Sequence, residues 1–234
     1  MDKARERIVF LPGLLCNERL WSHQIEALGD IAVCEVADFT TQENLTDMAH
    51  SVLNSVRGRF SLAGLSMGGY VALEVMRLAP ERINRLALID TKARADSETQ
   101  KRRRRGLLTL ANSGKFKGVT PHLMPLLIHE SRLNDESITS VIYEMAEEVG
   151  REAFLRQQTA ILNRESHLDI LGNFSCPVTI VTGRQDEITP VDCAEEMHAG
   201  IANSSLHLLE HCGHLAPLER PEEVNRLLLE WLSH

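Results

Sequence analysis

The sequence predicts an α/β fold: a mostly parallel, doubly wound sheet of about six strands with a helical insertion between two of them. Three observations predict it. Short apolar runs alternate with stretches of 3.6-residue periodicity along most of the 234 residues. One of those runs, Phe60 to Leu65, passes directly into Gly64-Leu65-Ser66-Met67-Gly68 and then a helical pattern. The alternation stops between about residues 91 and 168, where no convincing strand appears.

The elements follow in order. Ile8 to Leu11 is apolar and stopped by Pro12-Gly13, which reads as a buried strand ended by a turn. Asn17 to Leu28 spaces Leu20, Trp21, Ile25 and Leu28 as a helix does. Ile31 to Val36 is a second strand. Leu45 to Val56 is an amphipathic helix with Met48, Ala49 and Val52 on its apolar face. Phe60 to Leu65 is the third strand, Tyr70 to Leu78 a helix closed before Pro80, and Leu86 to Ile89 the fourth strand. Within 91–168, Ile138, Val141, Ile142, Met145 and Val149 share one helical face, and Asn134 or Asp135 can cap its start. Phe154, Leu155, Gln158, Ile161 and Leu162 continue the pattern. Pro177 to Thr182 and Leu206 to Leu209 make the fifth and sixth strands, and Val224 to Leu232 a closing helix. Residues 1–234 thus form one domain. The insertion at 91–168 lands on the strand ends where open sheets bind ligands, so it is expected to be a cap over a site. Met124, Leu126 and Leu127 are expected to supply part of an apolar wall there.

Composition narrows the function. Hydrophobic residues at 43% and charged residues at 25% support a packed globular chain rather than a disordered one. A net charge of −8 opposes binding to phosphate backbones, so nucleic acid is not expected as a partner. The run Lys101-Arg102-Arg103-Arg104-Arg105 is expected to be the solvated side of an amphipathic helix. Five scattered cysteines without a CxxC pair point away from a disulfide framework and from a cysteine zinc site. The first apolar run is too short for a signal-peptide core or a membrane span, so a cytoplasmic location is expected.

Gly64-Leu65-Ser66-Met67-Gly68 matches G-x-S-x-G between a strand and a helix, the setting of a nucleophile elbow. Side chains at 64 and 68 would collide with chain across the turn, which glycine avoids. A serine hydroxyl needs a base. Asp186 follows the fifth strand and His214 follows the sixth, giving the order Ser, Asp, His on one edge of the sheet. Two rival acids exist: Asp90, which ends the fourth strand and is expected instead to cap the first insertion helix or anchor the loop, and Glu187, which points away from its neighbour. The backbone N–H groups of Met67 and Leu14 are the expected oxyanion donors, with the side chains at both positions lining an acyl pocket.

Four motifs now carry a resemblance over essentially the whole chain: LPGLLCN, GLSMGG, GRQDEITP and HCGHLAPLERPEEV. In that order they resemble the α/β-hydrolase superfamily, in the style of its small bacterial serine esterases such as pimeloyl-carrier-protein methyl esterases. Pro12-Gly13 stands where many members have His-Gly, which leaves the N–H donor in place. The usual antiparallel leading strands are expected to be absent. The resemblance implies hydrolysis of a carboxylic ester, thioester or lactone through Ser66, Asp186 and His214, with a small-molecule acyl substrate and no cofactor or metal. Acyl transfer and carbon–carbon bond hydrolysis use the same triad and stay open, as does a non-catalytic ligand receptor on the same fold. A further alternative is spelled by His207-Leu208-Leu209-Glu210-His211, which would place a zinc pair on a helix; the short run between Ser205 and Gly213 fits a strand instead. Oligomeric state is not written in the sequence.

Overall fold

A computed structural model describes residues 5–233. Its sheet contains β1 (Glu6–Leu11), β2 (Ala32–Val36), β3 (Phe60–Leu65), β4 (Ile83–Ile89), β5 (Val178–Gly183) and β6 (Ser204–Leu209) in the order β2-β1-β3-β4-β5-β6. Every pairing among these strands is parallel. All six expected strands form, and β1, β4 and β6 start two or three residues earlier than the apolar runs, because polar residues at an edge or strand end still join the ladder.

Parallel strands must be covered on both faces, and the pleat divides their side chains accordingly. Val9 and Leu11 of β1 pack with Leu62, Leu86, Leu88 and Ile180 on one side. There they meet α2 (Leu45–Ser55), α3 (Met67–Leu78) and α7 (Val191–Gly200). Ile8 and Phe10 point the other way, with Ala63, Ala87 and Val181, against α1 (Ser22–Leu28) and α9 (Pro221–Ser233). Phe10 and Trp21 anchor that second layer, with ring centroids 4.9 Å apart. The edge strands β2 and β6 are only partly buried, as edges that face water require.

Helix starts are chemically marked. Asn44 and Asp135 accept hydrogen bonds from the first turns of α2 and α6 (Glu136–Leu162), and Pro221 opens α9 with its missing N–H where no acceptor exists. The expected helix from Asn17 is a 3₁₀ turn at Glu18–Trp21 followed by α1. Helix α7 has no counterpart in the sequence reading, because only Cys193, Ala194 and Met197 bury and their spacing is too sparse to stand out.

Between β4 and β5 the described residues form helices and turns only: α4 (Glu98–Leu110), a π turn at Ala111–Lys115, α5 (Met124–Leu127), a 3₁₀ turn at Glu130–Arg132, α6, and a 3₁₀ segment at Leu168–Asn173. Ser97 and Gln100 form a capping box at the start of α4, so Asp90 is not its cap. The helical patterns read around 138–149 and 154–162 are the two arms of α6, which breaks at Gly150, whose backbone (φ 74°, ψ −179°) is not helical.

The sheet order reverses between β1 and β3: from β1 the chain moves outward to β2, then returns across to β3. Connections that diverge in this way leave a crevice at the carboxyl ends of the two strands. Gly13–Leu14 and Ser66 occupy those two ends.

Candidate active site

Ser66 sits between β3 and α3 with φ 54° and ψ −113°. It is one of four non-glycine residues with positive φ among those described; the others are Leu15, Asp90 and His211. All four lie just beyond the carboxyl ends of β1, β3, β4 and β6, so backbone strain is concentrated on one edge of the sheet. The elbow is possible because of its glycines. A Cβ on Gly68 would lie 2.0 Å from the Leu11 carbonyl oxygen, and one on Gly64 would lie 2.5 Å from the Gly68 carbonyl oxygen. The turn is tied down by the Ser66 N–H donating to Ile89 O (3.0 Å) and by Thr91 Oγ1 donating to Ser66 O (2.8 Å).

His214 Nε2 lies 2.9 Å from Ser66 Oγ, and His214 Nδ1 lies 2.8 Å from Asp186 Oδ2. The three side chains expected to meet do so. Asp186 is fixed in turn: Oδ1 accepts from the N–H groups of Ile188 (2.8 Å) and Thr189 (3.0 Å), and Oδ2 accepts from Thr189 Oγ1 (2.6 Å). Burial works to raise the Asp186 pKa, but the charge and hydrogen bond of His214, with the Thr189 donors, outweigh it and hold the carboxyl below its ordinary range. For His214 the signs reverse. Burial would lower its pKa, yet the Asp186 charge and hydrogen bond prevail and raise it above the ordinary 6.5.

The rival acids separate cleanly. Asp90 is fully buried and anchors two loops: Oδ1 accepts from the Gly183 N–H (2.8 Å) and Oδ2 from the Ala216 N–H (3.0 Å). Burial, and after it the charge of Asp186, push its pKa upward. Glu187 is exposed at the cavity rim.

The two backbone N–H groups expected as oxyanion donors are both unengaged. Among the described residues neither the Leu14 nor the Met67 N–H has a protein acceptor, while the next N–H, that of Leu15, donates to Gln157 Oε1 at 3.0 Å. Gln157 is buried on α6 and also donates to Phe39 O (3.1 Å), so an insertion helix sets the position of the turn after β1. A second support escaped the sequence reading. Glu219, on α8 (Ala216–Glu219), accepts from the N–H groups of Gly213 (2.9 Å), Leu215 (3.3 Å) and His129 (2.7 Å) and so clamps the loop bearing His214. Nothing local marks Gln157 or Glu219 as a support in the sequence, since polar residues on helices are ordinarily solvated. The backbone groups that Gln157 holds, and the His129 N–H that Glu219 holds, lie far away along the chain.

Ser66 and His214 open into a cavity of about 380 Å³ whose walls include Leu14, Leu107, Phe116, Leu126, Leu127 and Phe154. Two expected wall residues are elsewhere. The Met67 side chain is buried in the core beneath α3, and Met124 packs with Ile138, Ile142 and Met145 against the second face of the sheet. A helix exposes only one side to the cavity, and these two positions fall on the other. Cys16 lines the cavity, but burial raises its thiol to about 12, which leaves it without thiolate character. The basic run on α4 follows the expected solvated face except at Arg104: Arg102, Arg103 and Arg105 are exposed, Arg103 at the cavity rim, whereas Arg104 turns toward the cavity and pairs with buried Asp96.

The zinc spelling is not on a helix. His207 lies on β6 with Nε2 3.1 Å from Ser205 Oγ, and His211 lies in the following turn with φ 52°, edge-on to His129. Among the described residues no group of three His, Cys, Asp or Glu side chains is arranged to hold a metal, and no helix is long and apolar enough to cross a membrane.

Comparison with known proteins agrees with the fold. A family model described as alpha/beta hydrolase family matches residues 8–227. A 2-hydroxy-6-oxononadienedioate/2-hydroxy-6-oxononatrienedioate hydrolase of Pseudomonas putida is 28% identical over 75% of this chain; the match spans 63% of that protein, under two thirds of its length. A pimeloyl-[acyl-carrier protein] methyl ester esterase of Nitrosomonas europaea is 28% identical, over 88% of this chain and 83% of its own. The structure of a thermophilic esterase from Thermogutta terrifontis superposes with a TM-score of 0.89 at 27% identity, covering 97% of this chain and 89% of the other.

Proposed function

Because the chain belongs to the alpha/beta hydrolase family, we propose that it is a serine hydrolase that cleaves a carboxylic ester, thioester or lactone through Ser66, His214 and Asp186. The observation that carries this reading is the continuous relay from Ser66 Oγ to His214 Nε2 (2.9 Å) and from His214 Nδ1 to Asp186 Oδ2 (2.8 Å). His214 removes the Ser66 proton as Oγ attacks the substrate carbonyl carbon. Asp186 keeps the Nδ1 tautomer and stabilises the imidazolium. The N–H groups of Leu14 and Met67, both without an acceptor among the described residues, receive the oxyanion at the start of α3, where the helix dipole adds to their effect. His214 then protonates the leaving group, and water releases the acyl group from Ser66 by the same steps in reverse roles. No cofactor enters these steps.

The insertion at 91–168 acts as the cap of this site. Its support is that Leu107, Phe116, Leu126, Leu127 and Phe154 all come from it and wall the cavity above Ser66. A small-molecule acyl substrate fits a cavity of this size.

A second reading, carbon–carbon bond hydrolysis, is favoured by the likeness to the Pseudomonas putida dioate hydrolase. It uses the same serine and separates by substrate. Labelling with a fluorophosphonate tests the shared core. Wild-type protein is expected to react at Ser66 alone, and Ser66→Ala to lose labelling with kcat reduced by about 10⁶-fold and a Tm near that of wild type. Full activity in Ser66→Ala would overturn the assignment.

A further inference from the structure

One end of the cavity that holds Ser66 is built almost entirely of hydrogen-bond donors. Lys92 follows β4 by three residues, directly after Thr91, whose hydroxyl bonds the Ser66 carbonyl. Its ammonium is buried and pairs with Asp96 Oδ1 (3.0 Å). Asp96 also pairs with Arg104 of α4 and with Arg164 (2.9 Å), which leaves this buried cluster with a formal charge of +2. Arg164 lies outside the cavity lining, over the Tyr70 ring at 4.1 Å, whereas Lys92 and Arg104 face the cavity.

The neutral groups there show the same polarity. Gln100 Oε1 accepts from Lys92 Nζ (3.0 Å) and Gln158 Oε1 accepts from Arg104 Nη1 (2.8 Å). Both amide oxygens are thus turned to the cations, and among the described residues neither Nε2 has an acceptor. Tyr70, Gln100 and Gln158 all line the cavity. The amide oxygens at this end are therefore occupied while the amide N–H groups and the cations remain, so the ligand that completes it supplies acceptors, and beside a cluster of charge +2 the acceptor that fits is anionic, a carboxylate being the simplest such group on an acyl substrate. The wider cavity agrees: Lys92, Arg103, Arg104, Lys115 and Lys117 line it against Glu187 alone, in a chain of net charge −8. Burial, and then the nearby Arg164, lower the Lys92 pKa in spite of Asp96, a cost that an anion would relieve. A cluster that served only to pin α4 to α6 would need Asp96, Arg104 and Arg164. It would not need further donors on the cavity side.

We propose that Lys92 and Arg104, with Gln100, Gln158 and Tyr70, form an anion subsite for a carboxylate carried by the substrate at a distance from the carbonyl that Ser66 attacks. The inference rests on the hydrolase reading in taking the cavity's occupant to be the substrate.

The test compares monomethyl esters of linear dicarboxylic acids with methyl esters of matched length ending in a methyl group, and acetate esters of hydroxy acids with those of plain alcohols. The first pair places the charge on the acyl side, the second on the leaving side. In one series, at one length, the carboxylate-bearing ester is expected to have a kcat/KM about ten- to a hundredfold above its neutral match. Lys92→Met and Arg104→Gln are each expected to shrink that ratio at least about tenfold. Arg102→Gln, exposed on α4 and outside the cavity, is expected to leave both ratio and rate unchanged. Equal treatment of charged and neutral esters at every length in both series, or a ratio that survives both substitutions, overturns the subsite. Fluorophosphonate labelling keeps the two readings apart. A protein labelled at Ser66 that shows no discrimination loses the subsite only. A protein not labelled loses the hydrolase reading, and the subsite is then read by calorimetry with glutarate, adipate and suberate. Binding weakened at least about tenfold by Arg104→Gln supports it, and no binding overturns it. If Lys92→Met does not fold, Arg104→Gln, which keeps an acceptor and donors beside Asp96, carries the test.

Discussion

Asp186→Asn separates the two buried aspartates and can be worked from the geometry. The Asp186 carboxylate is used on both sides. Oδ1 accepts two backbone N–H groups, from Ile188 and Thr189, while Oδ2 faces His214 Nδ1 at 2.8 Å. In the asparagine variant the amide oxygen must stay with the two backbone donors, since turning it away leaves both unsatisfied at about 1–3 kcal/mol each. The amide NH₂ therefore faces Nδ1, and Nδ1 must accept. The single imidazole proton moves to Nε2, which stands 2.9 Å from Ser66 Oγ and can no longer take the serine proton. A loss of about 10⁴ in kcat follows, equivalent to about 5.4 kcal/mol of barrier. Asp90→Asn has a different cost. One of its two acceptor contacts, to Gly183 N–H or Ala216 N–H, becomes donor against donor, at about 1–3 kcal/mol. For a chain of this size that lowers Tm by roughly 2–12 °C, with kcat expected within about tenfold of wild type because Asp90 makes no hydrogen bond to His214. The assay is steady-state hydrolysis of one activated aryl ester, with thermal unfolding of each variant. A large kcat loss in Asp90→Asn together with near-normal kcat in Asp186→Asn would refute the assignment of the acid while leaving Ser66 and His214 in place.

Other perturbations follow from the same geometry. Since Asp186 raises the His214 pKa and only the neutral imidazole acts as base, kcat/KM is expected to fall on acidification with a midpoint above 6.5, and a midpoint at or below 6.5 would contradict the pairing. Gly68→Ala places a Cβ 2.0 Å from the Leu11 carbonyl oxygen, against backbone that cannot yield, so a loss of about 3 kcal/mol or more is expected in denaturant unfolding. Leu127→Ala, at the cavity wall, is expected to shift the relative kcat/KM among acyl chain lengths. Met124→Ala, in the core, is expected instead to cost about 2–5 kcal/mol of stability without shifting that preference. Uniform effects of Leu127→Ala across all chain lengths would place it with the core residues.

Much of this molecule was legible in its sequence because its strongest signals are local. A run such as Phe60–Leu65 is buried on both faces, so its composition alone marks a central strand. The elbow announces itself because close approach of Gly64 and Gly68 to neighbouring backbone excludes every other residue type. Ser66, Asp186 and His214 each sit where a parallel strand ends, and parallel strands bring their ends to one edge, so linear order translated into proximity. Helix α7 was not legible, because a helix that buries three side chains leaves little periodic trace.

The tertiary structure decided what depends on long-range partners and on side-chain direction. Asp90 and Asp186 are both aspartates at strand ends, and only the packing of loops around them turns one to His214 and the other to the backbone of Gly183 and Ala216. Gln157 and Glu219 support the site through backbone groups up to 142 and 90 residues away, pairings that no local pattern encodes. Met67 and Met124 turn into the core while Leu127 faces the cavity, because the rotation of a helix against the sheet is fixed by packing rather than by composition. The basic run on α4 reads as a solvated face until Asp96 and Gln158, from outside that helix, draw Arg104 inward. A sequence states which charges are present, but whether a charge meets water or a buried partner is settled only when distant segments are brought together.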